Sequence, residues 1–201
     1  MSIWDREKIA SIVLPSEIEL SVNFLKGLKM CSGLGDEVIG EMAERAIDVG
    51  ASHASDFVGS DVVDEALHRG VKVVMHKGGV VVNKLIRAQY DHSIKTIIIY
   101  EDGVTSVLTT PAAELLGVEN TVESVREVLI WHEFFHVLEF KEIGLAGADF
   151  KVPGKTLWFE RNKPLYQISE ICANAFAMRA AGLCYSPFLI DYLAHNRELW
   201  E

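Results

Sequence analysis

Apolar residues recur along this chain at two different periods, and the change from one to the other divides it. From residue 17 to residue 70 the spacing is helical. Leu20, Phe24, Leu25 and Leu28 share one face of a segment that Pro15-Ser16 opens and a glycine-containing break at residues 31–35 closes. Asp36 opens a second helix, with Val38, Ile39, Met42, Ala43, Ala46 and Ile47 on one stripe and Glu41, Glu44, Arg45 and Asp48 opposite. A third helix runs from Ser60 or Asp61 to His68 and stops at Gly70. Between residues 71 and 109 the period shortens towards two. Residues 71–76 and 80–86 flank Lys77-Gly78-Gly79, and residues 94–100 and 104–109 flank Glu101-Asp102-Gly103. That stretch reads as two hairpins of a small antiparallel sheet.

Helical spacing then returns. Residues 111–116 form a short helix ended by Gly117, and a long helix spans about residues 121–141 behind the capping-box pattern Asn120-Thr-Val-Glu123. Gly144, Gly147, Pro153 and Gly154 punctuate a loop-rich stretch, a helix follows from Ile168 or Ser169 to Ala181, and a last one covers residues 187–198. The fold class is α+β. Residues 1–70 are a helical N-terminal layer, read as part of the same domain as residues 71–201.

Composition narrows the function classes. The chain has 201 residues, 49% of them hydrophobic and 24% charged, which describes an ordinary folded domain. A net charge of −10 argues against direct nucleic-acid binding, because no basic excess exists to displace phosphate counterions. Residues 1–20 contain scattered charges and no continuous apolar core of a signal peptide. No run is apolar enough to span a membrane. Cys31, Cys172 and Cys184 form an odd set without framework spacing, as expected in a reducing cytoplasm. The oligomeric state is not encoded in any of these patterns.

Within the long helix, residues 132–136 read His-Glu-Phe-Phe-His, the pattern H-E-x-x-H. Residues four apart stack on one helical face, so His132 and His136 can reach one metal ion while Glu133 beside them accepts a proton. The surrounding residues are apolar on every side, the mark of a buried helix, and a buried ionisable group is costly unless paired or metal-bound.

A hydrolytic zinc site normally takes three protein ligands. Glu170 is the expected third. Its helix carries Ala173, Asn174, Ala177 and Ala181 on the same face, small enough to let it approach another helix closely. Asn174 is expected to hold the free nitrogen of His132 or His136. Glu142 is the rival, ten residues after His132, but Glu139 stands where the elongated motif needs glycine. Glu139 itself is read as a solvated or ion-pairing residue, with contact to His136 as the alternative. Tyr166 is a candidate transition-state stabiliser, with Arg161, Tyr185 and His195 as the alternatives. The loop of residues 144–164, with Trp158, Phe159 and Arg161, is a candidate lid.

His132-Glu-Phe-Phe-His136 followed by Glu170-Ile-Cys-Ala173-Asn174-Ala-Phe176-Ala177 resembles the ImmA/IrrE-type zinc metallopeptidases, and more broadly the gluzincins. The resemblance covers roughly the last third of the chain. The family's usual Leu-Gly within the motif is replaced by Phe134-Phe135, and its Leu-Met-Pro after Phe-Ala by Met178-Arg-Ala-Ala-Gly-Leu. It implies a zincin-like fold, with a small sheet packed against the H-E-x-x-H helix and a second ligand helix. It also implies Zn2+ held by His132, His136 and Glu170, Glu133 as catalytic base, and a peptide or protein substrate. The competing expectation is a metal-binding regulatory protein that acts by binding a transcription factor or repressor, with little catalysis.

Overall fold

The computed structural model describes residues 9, 11–81, 84–155 and 160–200. Its N-terminal layer follows the sequence closely. Helix α1 (Glu17–Gly27) starts at a capping box in which Ser16 and Glu19 satisfy each other's backbone amides. Helix α2 (Asp36–Ala54) buries Ile39, Ala43, Ala46, Gly50 and Ala54. Helix α3 (Val62–His68) is capped by Asp61, whose side chain accepts from the amides of Val63 and Asp64.

The sheet departs from the two expected hairpins. Strands β1 (Lys72–His76), β4 (Ala88–Asp91) and β5 (Thr96–Tyr100) form a mixed sheet in the order β1-β5-β4. Strand β1 runs parallel to β5, with Lys72 opposite Thr96, while β4 runs antiparallel to it, with Ala88 opposite Ile99. The short strands β2 (Val80–Val81) and β3 (Lys84–Leu85) pair separately. The expected strand at residues 104–109 is instead part of helix α4 (Glu101–Leu108), which follows β5 without a turn. Gly103 is needed there for close packing: a Cβ on it would lie 2.4 Å from the Arg87 Cα. Val104 and Val107, three apart, are buried together on one helical face, and that tertiary contact outweighs the hairpin tendency of an Asp-Gly pair.

Helix α5 (Ala112–Leu116) ends at Gly117, which has φ 82°. The long helix α6 (Val122–Leu138) is capped by Thr121 rather than Asn120, and its last turn widens into a π-helical turn at Glu139–Ile143. The expected loop-rich stretch contains a two-stranded hairpin, β6 (Lys151–Lys155) with β7 (Glu160–Pro164). Trp158 and Phe159 of the expected lid lie outside the described residues. Helices α7 (Ser169–Ala180) and α8 (Phe188–His195) complete the chain in the expected places.

Two contacts set the position of the motif helix. Ile97 and Ile99 of β5 are fully buried, and α6 packs across β4 and β5. Helix α7 packs against both α6 and α2. Its approach to α2 is close enough that a Cβ on Gly50 would lie 2.0 Å from the Cys172 carbonyl oxygen. Small residues thus let the N-terminal layer support α7 directly.

Candidate metal centre

Helix α6 is buried almost all round, and its aromatic residues anchor it. Trp131, Phe134 and Phe135 are at most 1% exposed. Phe134 meets Phe57 edge-on at 5.3 Å between centroids, and Phe135 lies 5.5 Å from Phe176 of α7. The bulky pair inside the motif therefore fills the space between the two ligand helices. With those residues facing inward, His132 and His136 share the remaining side, their ring centroids 5.3 Å apart.

Glu170 enters from the first turn of α7. Its Oε2 lies 3.3 Å from His132 Nε2 and its Oε1 3.7 Å from His136 Nε2. Ligand atoms of the three residues all lie within 4.8 Å of one another. Tetrahedral zinc with bonds of about 2.0–2.2 Å places its ligand atoms about 3.4 Å apart. The donor set fits: two imidazoles and a carboxylate suit a borderline divalent cation, and each offers an atom to one point.

The electrostatics favour a cation as well. Glu170 is partly desolvated, which opposes its charge, yet the hydrogen bond from His132 and the charges of both histidines hold its carboxyl down at about 2. Burial opposes a charge on His136 too. Its hydrogen bond to Glu139, with the negative charges of Glu133, Glu170 and Glu139, outweighs that and raises the imidazole to about 9. Glu133 is raised as well, but there burial is the cause, acting against the lowering influence of the histidines and of the Tyr90 backbone.

The site opens into a cleft of about 1120 Å³. His132, Glu133, Glu170 and Asn174 line one end, and Phe24, Arg87, Phe188 and Tyr192 are among the residues that continue it. Phe24 of α1 packs on Phe188 of α8 at 5.2 Å. Arg87 pairs with Asp191 at 2.6 Å across the same cleft. Neither α1 nor Arg87 carried a sequence signal for the site, because only the fold brings them near it.

Several expected partners sit elsewhere. Asn174 is buried, but its amide donates to the Glu170 carbonyl one turn back at 2.7 Å, so it braces α7 rather than a histidine. His136 Nδ1 is held by Glu139 at 2.8 Å, and Glu139 is buried, not solvated. Glu142 points away and pairs with Arg69 at 2.6 Å. Tyr166 is 52% exposed, because Leu165 and Ile168 take the inward positions of its turn. Among the described residues it does not line the cleft, whereas His195 and Tyr192 do.

No protein-family model matches this chain, and neither a curated protein nor a solved structure matches it. Among the described residues, no helix is long and apolar enough to cross a membrane. What the fold establishes is a candidate His-His-Glu metal site between two packed helices of an α+β chain.

Proposed function

We propose that the protein is a zinc-dependent peptidase in which His132, His136 and Glu170 hold the metal and Glu133 transfers the proton. The observation that carries this reading is the convergence of three ligand atoms within 4.8 Å, beside a buried carboxylate, at the wall of a large cleft. The likeness of residues 132–136 and 170–177 to the ImmA/IrrE-type metallopeptidases favours zinc and a peptide substrate over other metals and bonds.

Zinc bound there supplies Lewis acidity, which acidifies a water and polarises a carbonyl. Glu133 would take the water proton and return it to the leaving amine, a reading supported by burial, which raises its proton affinity. Strand β4, which carries Tyr90, is an edge of the three-stranded sheet. An extended peptide added along that edge would bring its main chain to the mouth of the site. His195 also lines the cleft, with its Nδ1 held by the Asp191 carbonyl at 2.7 Å. In this reading His195 takes the oxyanion-stabilising role in place of Tyr166.

The test is zinc content by elemental analysis, paired with cleavage of a diverse peptide library. Wild-type protein should carry near-stoichiometric zinc and cut a subset of peptides, His136→Ala and Glu170→Ala should lose zinc, and Glu133→Gln should keep zinc without cutting. Zinc-loaded wild type that cuts nothing, with Glu133→Gln retaining cellular function, would favour the regulatory metal-binding reading. Wild type without zinc, even after reconstitution, would sink both.

A further inference from the structure

Glu139 is a buried carboxylate that the H-E-x-x-H pattern does not call for. Its side chain is 2% exposed. It occupies the first position of the π-helical turn Glu139–Ile143, where α6 departs from regular geometry, and such turns recur at functional sites. An ionised carboxylate in that setting is tolerated only when its oxygens are satisfied. Here both are. Oε2 accepts from His136 Nδ1 at 2.8 Å, and Oε1 accepts from the Ala146 amide at 2.9 Å and also from the Ser169 hydroxyl.

The partners determine what this contact does. The 2.8 Å contact of His136 Nδ1 with Glu139 Oε2 fixes which edge of the imidazole faces Glu139. The ring is thereby turned with Nε2, which lies 3.7 Å from Glu170 Oε1, towards the metal position. Ser169 immediately precedes Glu170 and opens α7. One carboxylate thus grips the ring of one candidate ligand and the residue adjoining another, across helices that the sequence separates by thirty positions. A clamp serving only the loop at Ala146 would have no need of the imidazole.

We infer that Glu139 is a positioning residue of the metal centre, orienting His136 directly and Glu170 through Ser169, an inference that rests on the metal-binding reading above. The ligand geometry is then set as a unit, because the same side chain restrains both helices that supply ligands. Outer partners of metal-bound histidines typically contribute about ten- to a hundredfold in metal affinity.

The experiment measures zinc affinity by competition with a chromophoric chelator, together with the visible spectrum of Co2+-substituted protein. Wild type is compared with Glu139→Gln, Ser169→Ala and, as a reference, Glu142→Gln, whose side chain pairs with Arg69 outside the site. Glu139→Gln should bind zinc about ten- to a hundredfold more weakly and shift the Co2+ bands. Ser169→Ala should weaken zinc binding in the same direction by less, and Glu142→Gln should match wild type. If Glu139→Gln fails to fold, Ser169→Ala, which removes one hydroxyl, decides the matter by the same readouts. Affinity within twofold of wild type and an unchanged Co2+ spectrum would overturn the positioning role while leaving the metal site standing. Wild type that takes up neither metal would overturn both.

Discussion

At the scale of single residues, three carboxylates and two imidazoles within one buried region have been given different tasks by their surroundings. Glu170 is held charged by the two histidines, Glu139 is engaged by three hydrogen-bonding partners, and Glu133 is left with a raised carboxyl whose largest influence is burial. Glu133→Gln is therefore expected to lower kcat by about a hundredfold or more with zinc content unchanged, as measured by steady-state peptide cleavage and elemental analysis. The metal-free protein carries a second signature. His136 binds its proton more tightly when folded, at about 9 against an ordinary 6.5, despite its burial. Such a group stabilises the fold fully below pH 6.5, and the contribution fades as pH rises through about 9. Glu133 acts in the same sense, since a carboxyl raised by burial costs stability once the pH passes its ordinary 4.5. Glu170 matters only in acid: its contribution is present above pH 4.5 and lost as pH falls towards 2. Chelator-treated protein should accordingly melt at progressively lower temperature between pH 6.5 and 9, and a flat profile there would contradict the raised proton affinity of His136.

At the scale of elements, the site depends on how closely helices approach. The contact of α2 with α7 leaves no room for a side chain at Gly50, where a Cβ would lie 2.0 Å from a main-chain oxygen. Backbone cannot yield as a flexible side chain can, so Gly50→Ala is expected to destabilise the protein by about 3 kcal/mol, measured by urea denaturation. The same substitution displaces α7, and with it Glu170, so zinc affinity should fall in parallel. Phe134→Ala removes the ring that packs on Phe57, Trp131 and Phe176 and should cost about 3–5 kcal/mol by the same measurement. The motif and the core are one structure here: His132 lines the cleft, with His136 stacked one turn along on the same side, because the residues between and around them are committed to the interior.

At the scale of the whole molecule, one buried cluster draws on residues from Leu25 to Trp200, and the cleft takes its walls from α1, α6, α7, α8 and the segment around β3 and β4. A cation that binds only the folded chain is linked to the stability of all of it. Zinc at about a thousand times its dissociation constant should add about 4 kcal/mol, raising the melting temperature, and a chelator should reverse the shift. A melting temperature indifferent to zinc would show that the three side chains meet without binding an ion. The net charge of −10 adds a general attraction for divalent cations that rising salt would screen, so the shift should be compared at fixed ionic strength.

Local physics made much of this legible in the sequence. Helical periodicity and its caps located α1, α2, α3, α5, α7 and α8 to within a few residues, because those signals are carried by neighbours in the chain. The i, i+4 spacing of His132 and His136 is likewise a property of any helix, and the small-residue pattern around Glu170 pointed to a close helix contact. What the sequence could not decide was every choice between two locally acceptable states. Residues 101–108 suited a hairpin turn and strand as well as a helix, until the packing of Gly103 against Arg87 selected the helix. Strand β1 could pair with its sequence neighbour or with β5, and only the assembled sheet chose the parallel partner. Glu139 could face water or His136, and the choice rested on donors at Ala146 and Ser169, which reach it only through the folded chain. Asn174 and Tyr166 went the other way, claimed by the α7 backbone and by solvent. Periodicity fixes which face of an element is apolar, but which distant groups meet on that face is a property of the tertiary structure alone.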